Sequence, residues 1–174
     1  MGHEMNHYRE LRRTIDLALV AMNELDKAIE KITEGDFSYN MTLSWHHING
    51  ILIYTNRVSR ILWNKQQESR RTEIRDKLKV NDASPLHYSK RTVRDSFAHV
   101  DEQIDRIEKG ELSFAGDFNI GNIKTFAGNL KVGDYFRHYD PTTKTIYFAD
   151  YKFEIIPIKE ELIRIHNELT GMGF

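Results

Sequence analysis

Residues 8–35 read YRELRRTIDLALVAMNELDKAIEKITEG. Within them Tyr8, Leu11, Ile15, Ala18, Met22, Leu25, Ile29 and Ile32 recur at alternating steps of three and four, the spacing that lines apolar side chains along one side of an α-helix. The stripe stops near Gly35, so it predicts one long amphipathic helix whose apolar side needs partners, as in a helical bundle.

Those partners are sought downstream. Asp36 to Met41 reads as a loop, and a second helix is expected to start near Thr42 or Ser44. It carries Ile48, Leu52, Thr55, Val58 and Leu62 on one side and is expected to run through the charged segment to about Lys79, with Gly50 as its weak point. At Asn81-Asp82-Ala83-Ser84-Pro85 the pattern stops and restarts. Ser84 suits the cap and Pro85 the first helical position, which predicts a third helix ending at Lys109-Gly110. Its apolar stripe is Val93, Phe97, Val100, Ile104 and Ile107.

Beyond Gly110 the period changes. Tyr135 to Tyr139 and Thr145 to Ala149 are aromatic and β-branched around the turn 140–144, predicting a β-hairpin with a third strand at Lys152 to Ile156. Residues 111–133 read as loop with short strands at most. Pro157 is expected to open a last helix with Ile158, Leu162, Ile165 and Leu169 inward. The expected fold is therefore mainly α, a single domain over residues 1–174 with a β-rich insertion at about 111–156 before the last helix.

Composition narrows the chemistry. The 174 residues include no cysteine, which excludes a thiol nucleophile, a disulfide scaffold and thiolate metal sites. No apolar run approaches the roughly 20 residues of a membrane span, and no secretory signal is visible, so a cytoplasmic protein is expected. Lys plus Arg number 25 against 26 Asp plus Glu. The balance is uneven, because residues 57–94 hold eleven basic and four acidic side chains, a local charge of plus seven suited to a polyanion.

Titratable groups crowd the third helix. On a helical wheel His87, Arg91, Arg94, Asp95, His99 and Glu102 fill a broad arc from about 100° to about 240° from the apolar stripe. Asp95 and His99 are four residues apart, close enough for a carboxylate to set the imidazole tautomer. Arg94 and His99 diverge by about 140° on the wheel, so a site using both is assembled more easily where a second helix or subunit faces it. A solvated helix face or an ion-pair network accounts for the same residues without any function.

The string Arg94-Asp95-Ser96-Phe97-Ala98-His99, on a late helix of a bundle, resembles the signature of the HEPN superfamily, an Arg, a polar residue and a following His. The resemblance covers about residues 8–109 and extends to the last helix, while the β insertion lies outside the family's common pattern. It implies a homodimeric, metal-independent endoribonuclease, often a toxin or defence component, with Arg94, Asp95 and His99 in the catalytic cleft and no cofactor. It also implies RNA or nucleotide as ligand, and an antitoxin or nucleotidyltransferase as a partner. Some members keep only nucleotide or partner binding.

The residues suit that chemistry. An imidazole can move the proton of a ribose 2′-hydroxyl, and a guanidinium can hold the phosphate and stabilise its developing charge. Asp95 is expected to orient His99 or Arg91. Arg70, Arg71 and Arg75, with His87, Arg91 and Glu102, are expected to line the RNA.

Other signals carry less. His46-His47, and His3 with His7, offer metal-compatible types without evident convergence, and no metal is expected. His138 and His166 read as ordinary surface or half-buried residues. Gly116, Gly121 and Gly128 form no phosphate loop, and Ser44 and Ser59 sit in no nucleophile motif. Trp45, Trp63, Tyr135, Phe136, Tyr147, Phe148 and Tyr151 are candidates for base stacking and better candidates for core.

Overall fold

The computed structural model describes residues 2–32, 37–87, 99–111, 116–121, 136–148 and 151–174. The chain is mainly helical with a small sheet before the last helix. Helix α1 (Gly2–Ile32) buries Tyr8, Leu11, Ile15, Ala18, Met22 and Leu25, as its periodicity predicts. Helix α2 (Phe37–Leu62) packs along it with Ile48, Leu52, Thr55, Val58 and Leu62 inward. It starts earlier than Thr42, so described residues 37–41 are helical rather than loop. Asn40 accounts for part of the early start: its amide donates to the Lys31 carbonyl at 3.2 Å, fastening α2 to the last turn of α1.

The second helix does not run on to Lys79. It ends at Leu62, a 3-10 turn spans Lys65–Gln67, and a separate helix α3 covers Glu68–Lys77. Residues 64–73 contain no apolar side chain, so no buried stripe could carry the helix straight through them. Asn64 adopts an extended conformation and its side chain accepts the Gln66 N–H at 3.0 Å.

Ser84 does not begin a continuous helix either. Residues 81–87 form successive turns, and the Ser84 hydroxyl donates to Glu161 Oε1 at 2.9 Å. Glu161 also holds Arg164, whose Nη1 reaches the Leu78 carbonyl at 3.0 Å. The same hydroxyl oxygen accepts the Leu86 N–H at 3.3 Å, as a cap would, so the serine that local spacing assigns to a cap also serves a tertiary clamp. Helix α4 (Val100–Glu108) follows, with His99 at its cap in a non-helical conformation (φ −117°, ψ 48°). Of the expected stripe, Val100 and Ile107 pack on the core while Ile104 is 44% exposed. Val93 and Phe97 lie outside the described residues.

The hairpin and third strand form as expected. Strands β1 (Asn119–Ile120), β2 (Arg137–Asp140), β3 (Thr145–Phe148) and β4 (Tyr151–Glu154) lie in the order β1-β2-β3-β4. β1 runs parallel to β2, and the other pairs are antiparallel, with His138 opposite Tyr147 and Ile146 opposite Phe153. Asp140 turns the chain by accepting the Thr142 and Thr143 N–H groups. Arg137 pairs with Asp117 and stacks over Phe118, 3.7 Å from its ring centroid, and Trp45 of α2 donates its indole N–H to the Phe118 carbonyl at 2.9 Å. The last helix, α5 (Ile155–Gly171), begins two residues before Pro157 and buries Ile158, Leu162, Ile165 and Leu169.

Two predictions follow from this packing. A Cβ at Gly50 would meet Ala21 Cβ and Tyr54 Cε2 at 3.5 Å, an ordinary contact. Gly50→Ala is therefore expected to stabilise the protein by about 0.5–1 kcal/mol in denaturant titration, by removing glycine from a helix interior; a lower midpoint would mean that the α1–α2 crossing rejects a methyl.

His138 is fully buried, and that burial pulls its imidazole below the usual value against weaker opposing pulls from Asp140 and the Gly121 backbone. The folded state thus binds this proton less readily than the unfolded chain. Its stabilising effect is complete above the ordinary imidazole pKa of about 6.5 and is lost as pH falls below it, at no more than about 1.4 kcal/mol per pH unit. Thermal melts are expected to move down on acidification, with His138→Gln flattening the slope and His47, lowered by burial in the same way, leaving a remainder. An unchanged slope in the variant would remove His138 from this account.

Candidate functional site

His99 stands at the first turn of α4, where Asp101 and Glu102 place negative charge at the positive end of the helix. Its side chain is 62% exposed, and Nδ1 lies 3.4 Å from Glu102 Oε1. Because Nδ1 faces a carboxylate, Nε2 is the nitrogen available to a substrate proton. Glu102, expected among the residues lining the RNA, is a carboxylate beside this imidazole. A carboxylate repels a phosphate and suits the orienting role better. Arg91, Arg94 and Asp95 lie outside the described residues. The helical wheel that related them to His99 does not extend through residue 99, whose backbone is not helical.

Of the expected phosphate ligands, Arg70, Arg71 and Arg75 are carried by α3 itself, and His87 lies at the corner between α2 and α3. There a cavity of about 410 Å³ is lined by Trp63, Lys65, Glu68, Asp82 and His87. The Trp63 indole N–H donates to Asp82 Oδ1 at 3.0 Å, and His87 Nε2 lies 3.6 Å from the same oxygen. The imidazole meets the indole edge-on, with centroids 5.2 Å apart. His87 is thus buried and held, one wall of the cavity. Trp63, Lys65 and Asp82 were missed as site residues by sequence reasoning. The readable signal was the polar run 64–73 directly after Trp63, which forces a break and so a corner.

The three arginines of α3 divide in role. Arg75 is spent internally: Nη1 donates to the Leu62 carbonyl at 2.7 Å, Nη2 to Glu68 at 2.6 Å and Thr72 at 2.9 Å, and the guanidinium lies 5.7 Å from the Trp63 ring centroid. It caps the end of α2 and pins α3 to it. Arg70 and Arg71 make no ion pair among the described residues. Arg71 is 7% exposed, its Nε and Nη1 have no hydrogen-bond partner, and burial pulls its guanidinium below the usual value. Its positive charge is therefore unneutralised by any carboxylate of that group.

The remaining signals settle as structure. Trp45, Trp63, Phe136 and Phe148 are core, so they are closed to base stacking, while Tyr151 is 37% exposed. His46 and His47 face each other edge to face, His166 pairs with Asp16 at 3.2 Å, and no group of three metal-ligating side chains occurs among the described residues. No protein-family model, curated protein or solved structure matches the chain.

Arg75→Lys is expected to lower stability by about 2–3 kcal/mol, because an ammonium cannot reach the Leu62 carbonyl, Glu68 and Thr72 together and leaves a buried acceptor unmatched. Unchanged stability in denaturant titration would mean that Arg75 does not fasten α3 to the end of α2.

Proposed function

We propose that the chain is a metal-independent endoribonuclease of the HEPN type that works as a homodimer. The observation carrying this reading is the exposed His99 imidazole, with Nδ1 against Glu102 and Nε2 available at the start of α4. Arg94 and Asp95, placed by the HEPN-like motif, complete the proposed catalytic set. His99 takes the proton of the ribose 2′-hydroxyl as its oxygen attacks phosphorus. The bond to the 5′ oxygen breaks, that oxygen is reprotonated by the imidazolium or by water, and a cyclic phosphate remains. Arg94 steadies the charge that develops on the phosphate oxygens. Arg70 and Arg71, without carboxylate partners among the described residues, support the electrostatic side of RNA attraction.

A second reading, a binding module without cleavage, is favoured by the corner cavity, where indole, imidazole and lysine line a space suited to a small ligand. One assay separates the two. Wild type, His99→Ala and Glu102→Gln are incubated with a structured RNA in EDTA, and the fragments and their ends are read. Cleavage by the wild type should survive EDTA, leave cyclic phosphate, vanish in His99→Ala and fall roughly tenfold or more in Glu102→Gln, the scale of losing a group that orients a catalytic histidine. Cleavage unchanged in His99→Ala sinks the ribonuclease assignment. Salt-sensitive RNA binding with no fragments from any RNA favours the binding module.

A further inference from the structure

A second cavity, of about 300 Å³, opens between the middle of α1, the β2–β3 turn and the first turns of α5. Its wall is apolar where Met22, Leu25, Ile155, Ile156 and Ile163 meet. Its polar groups are unevenly satisfied. Asp26 is already neutralised by Lys144 at 2.6 Å. Glu160 is an exposed residue and remains hydrated. Among the described residues Lys159 meets only a neutral amide oxygen, Asn23 Oδ1 at 3.1 Å. Tyr139 is wholly buried, and its hydroxyl has no hydrogen-bond partner.

Three donors or positive ends are thus left over around an apolar space. Besides Lys159 and the Tyr139 hydroxyl there is the N-terminus of α5, a helix of 17 residues without a side-chain cap, where the Ile155 N–H already donates to the Lys144 carbonyl at 3.0 Å and Pro157 has none, so that Ile156 offers the remaining first-turn N–H. Ile155 and Ile156, which open that helix, line the cavity. A buried phenol without an acceptor costs free energy unless something else supplies one. The Ile156 N–H and the helix dipole favour an anion at the same end. The apolar wall favours a hydrocarbon body, and the volume sits at the small end of ligand pockets.

We propose that this cavity binds a small monocarboxylate with an apolar body, its carboxylate held by Tyr139, Lys159 and the start of α5. The site is separate from His99 and from the α2–α3 corner, so it stands or falls independently of RNA cleavage.

The test uses the full chain with 3-phenylpropionate and its neutral amide as probes, followed by calorimetry and by amide chemical shifts. The carboxylate is expected to bind more tightly than the amide, with shifts centred on Ile156 and Ile163. Tyr139→Phe is expected to weaken binding roughly fivefold, the equivalent of one hydrogen bond, while leaving the melting temperature of the free protein unchanged or higher, since the lost hydroxyl had no partner. Lys159→Met should weaken the carboxylate and erase its advantage over the amide. No saturable binding of the carboxylate, shifts centred elsewhere, or equal affinity in wild type and both variants would overturn the proposal.

Discussion

Helix α1 packs along α2 and against α5, with Lys144 of the β2–β3 turn paired to its Asp26, and the other elements take their places from the burial of its apolar side. Leu11, Ile15, Ala18, Met22 and Leu25 are all essentially inaccessible to water. Each large aliphatic side chain contributes about 1.5–3 kcal/mol on burial, whereas an exposed ion pair contributes about 0–1 kcal/mol. Pairs such as Glu10 with Arg57 and Asp26 with Lys144 therefore select how the elements align along α1 rather than hold them there. Small residues let α2 approach closely, as Ala21 against Gly50 shows. The sheet closes the remaining side, and three consecutive buried residues in β2, His138 to Asp140, reflect a strand covered on both faces.

Around this core the chain spends polar groups on joints. Arg75 fastens the end of α2 to α3, and the Ser84, Glu161, Arg164 and Leu78 contacts fasten the following turns to α5. These joints draw His87 and Trp63 inward and leave His99 and Glu102 outside, on a short helix that touches the core through Val100 and Ile107. The contrast matters for function. A buried imidazole beside an indole shapes a cavity, while an exposed imidazole beside a carboxylate can exchange protons with whatever docks there.

Where the sequence was legible, one physical rule sufficed. Every member of the α2 and α5 stripes is buried, because a helix exposes its period to sequence through local geometry alone. The hairpin was legible for the same reason, with Asp140 supplying the turn chemistry. The end of α2 was legible in principle, in the ten polar residues 64–73, although no glycine or proline marks it. Ser84 was legible in part: its hydroxyl accepts the Leu86 N–H as a cap does, but residues 84–87 are turns, and no local signal marks its donation to Glu161, 77 positions away. The candidate site divides likewise: Glu102 stands beside His99, a contact that the spacing of Asp95 did not point to, and Arg75 is a joint although its charge resembled that of Arg70 and Arg71.

By itself, then, the sequence determined the elements, their buried faces and the types of chemistry present, since periodicity, turn residues and composition act over a few neighbouring positions. Tertiary structure alone decided which polar side chains are consumed in joints and which keep unmatched donors. That is a property of distance between segments far apart in the chain, as Arg75 with Leu62, Ser84 with Glu161 and the unpartnered Tyr139 hydroxyl between α1 and α5 each show.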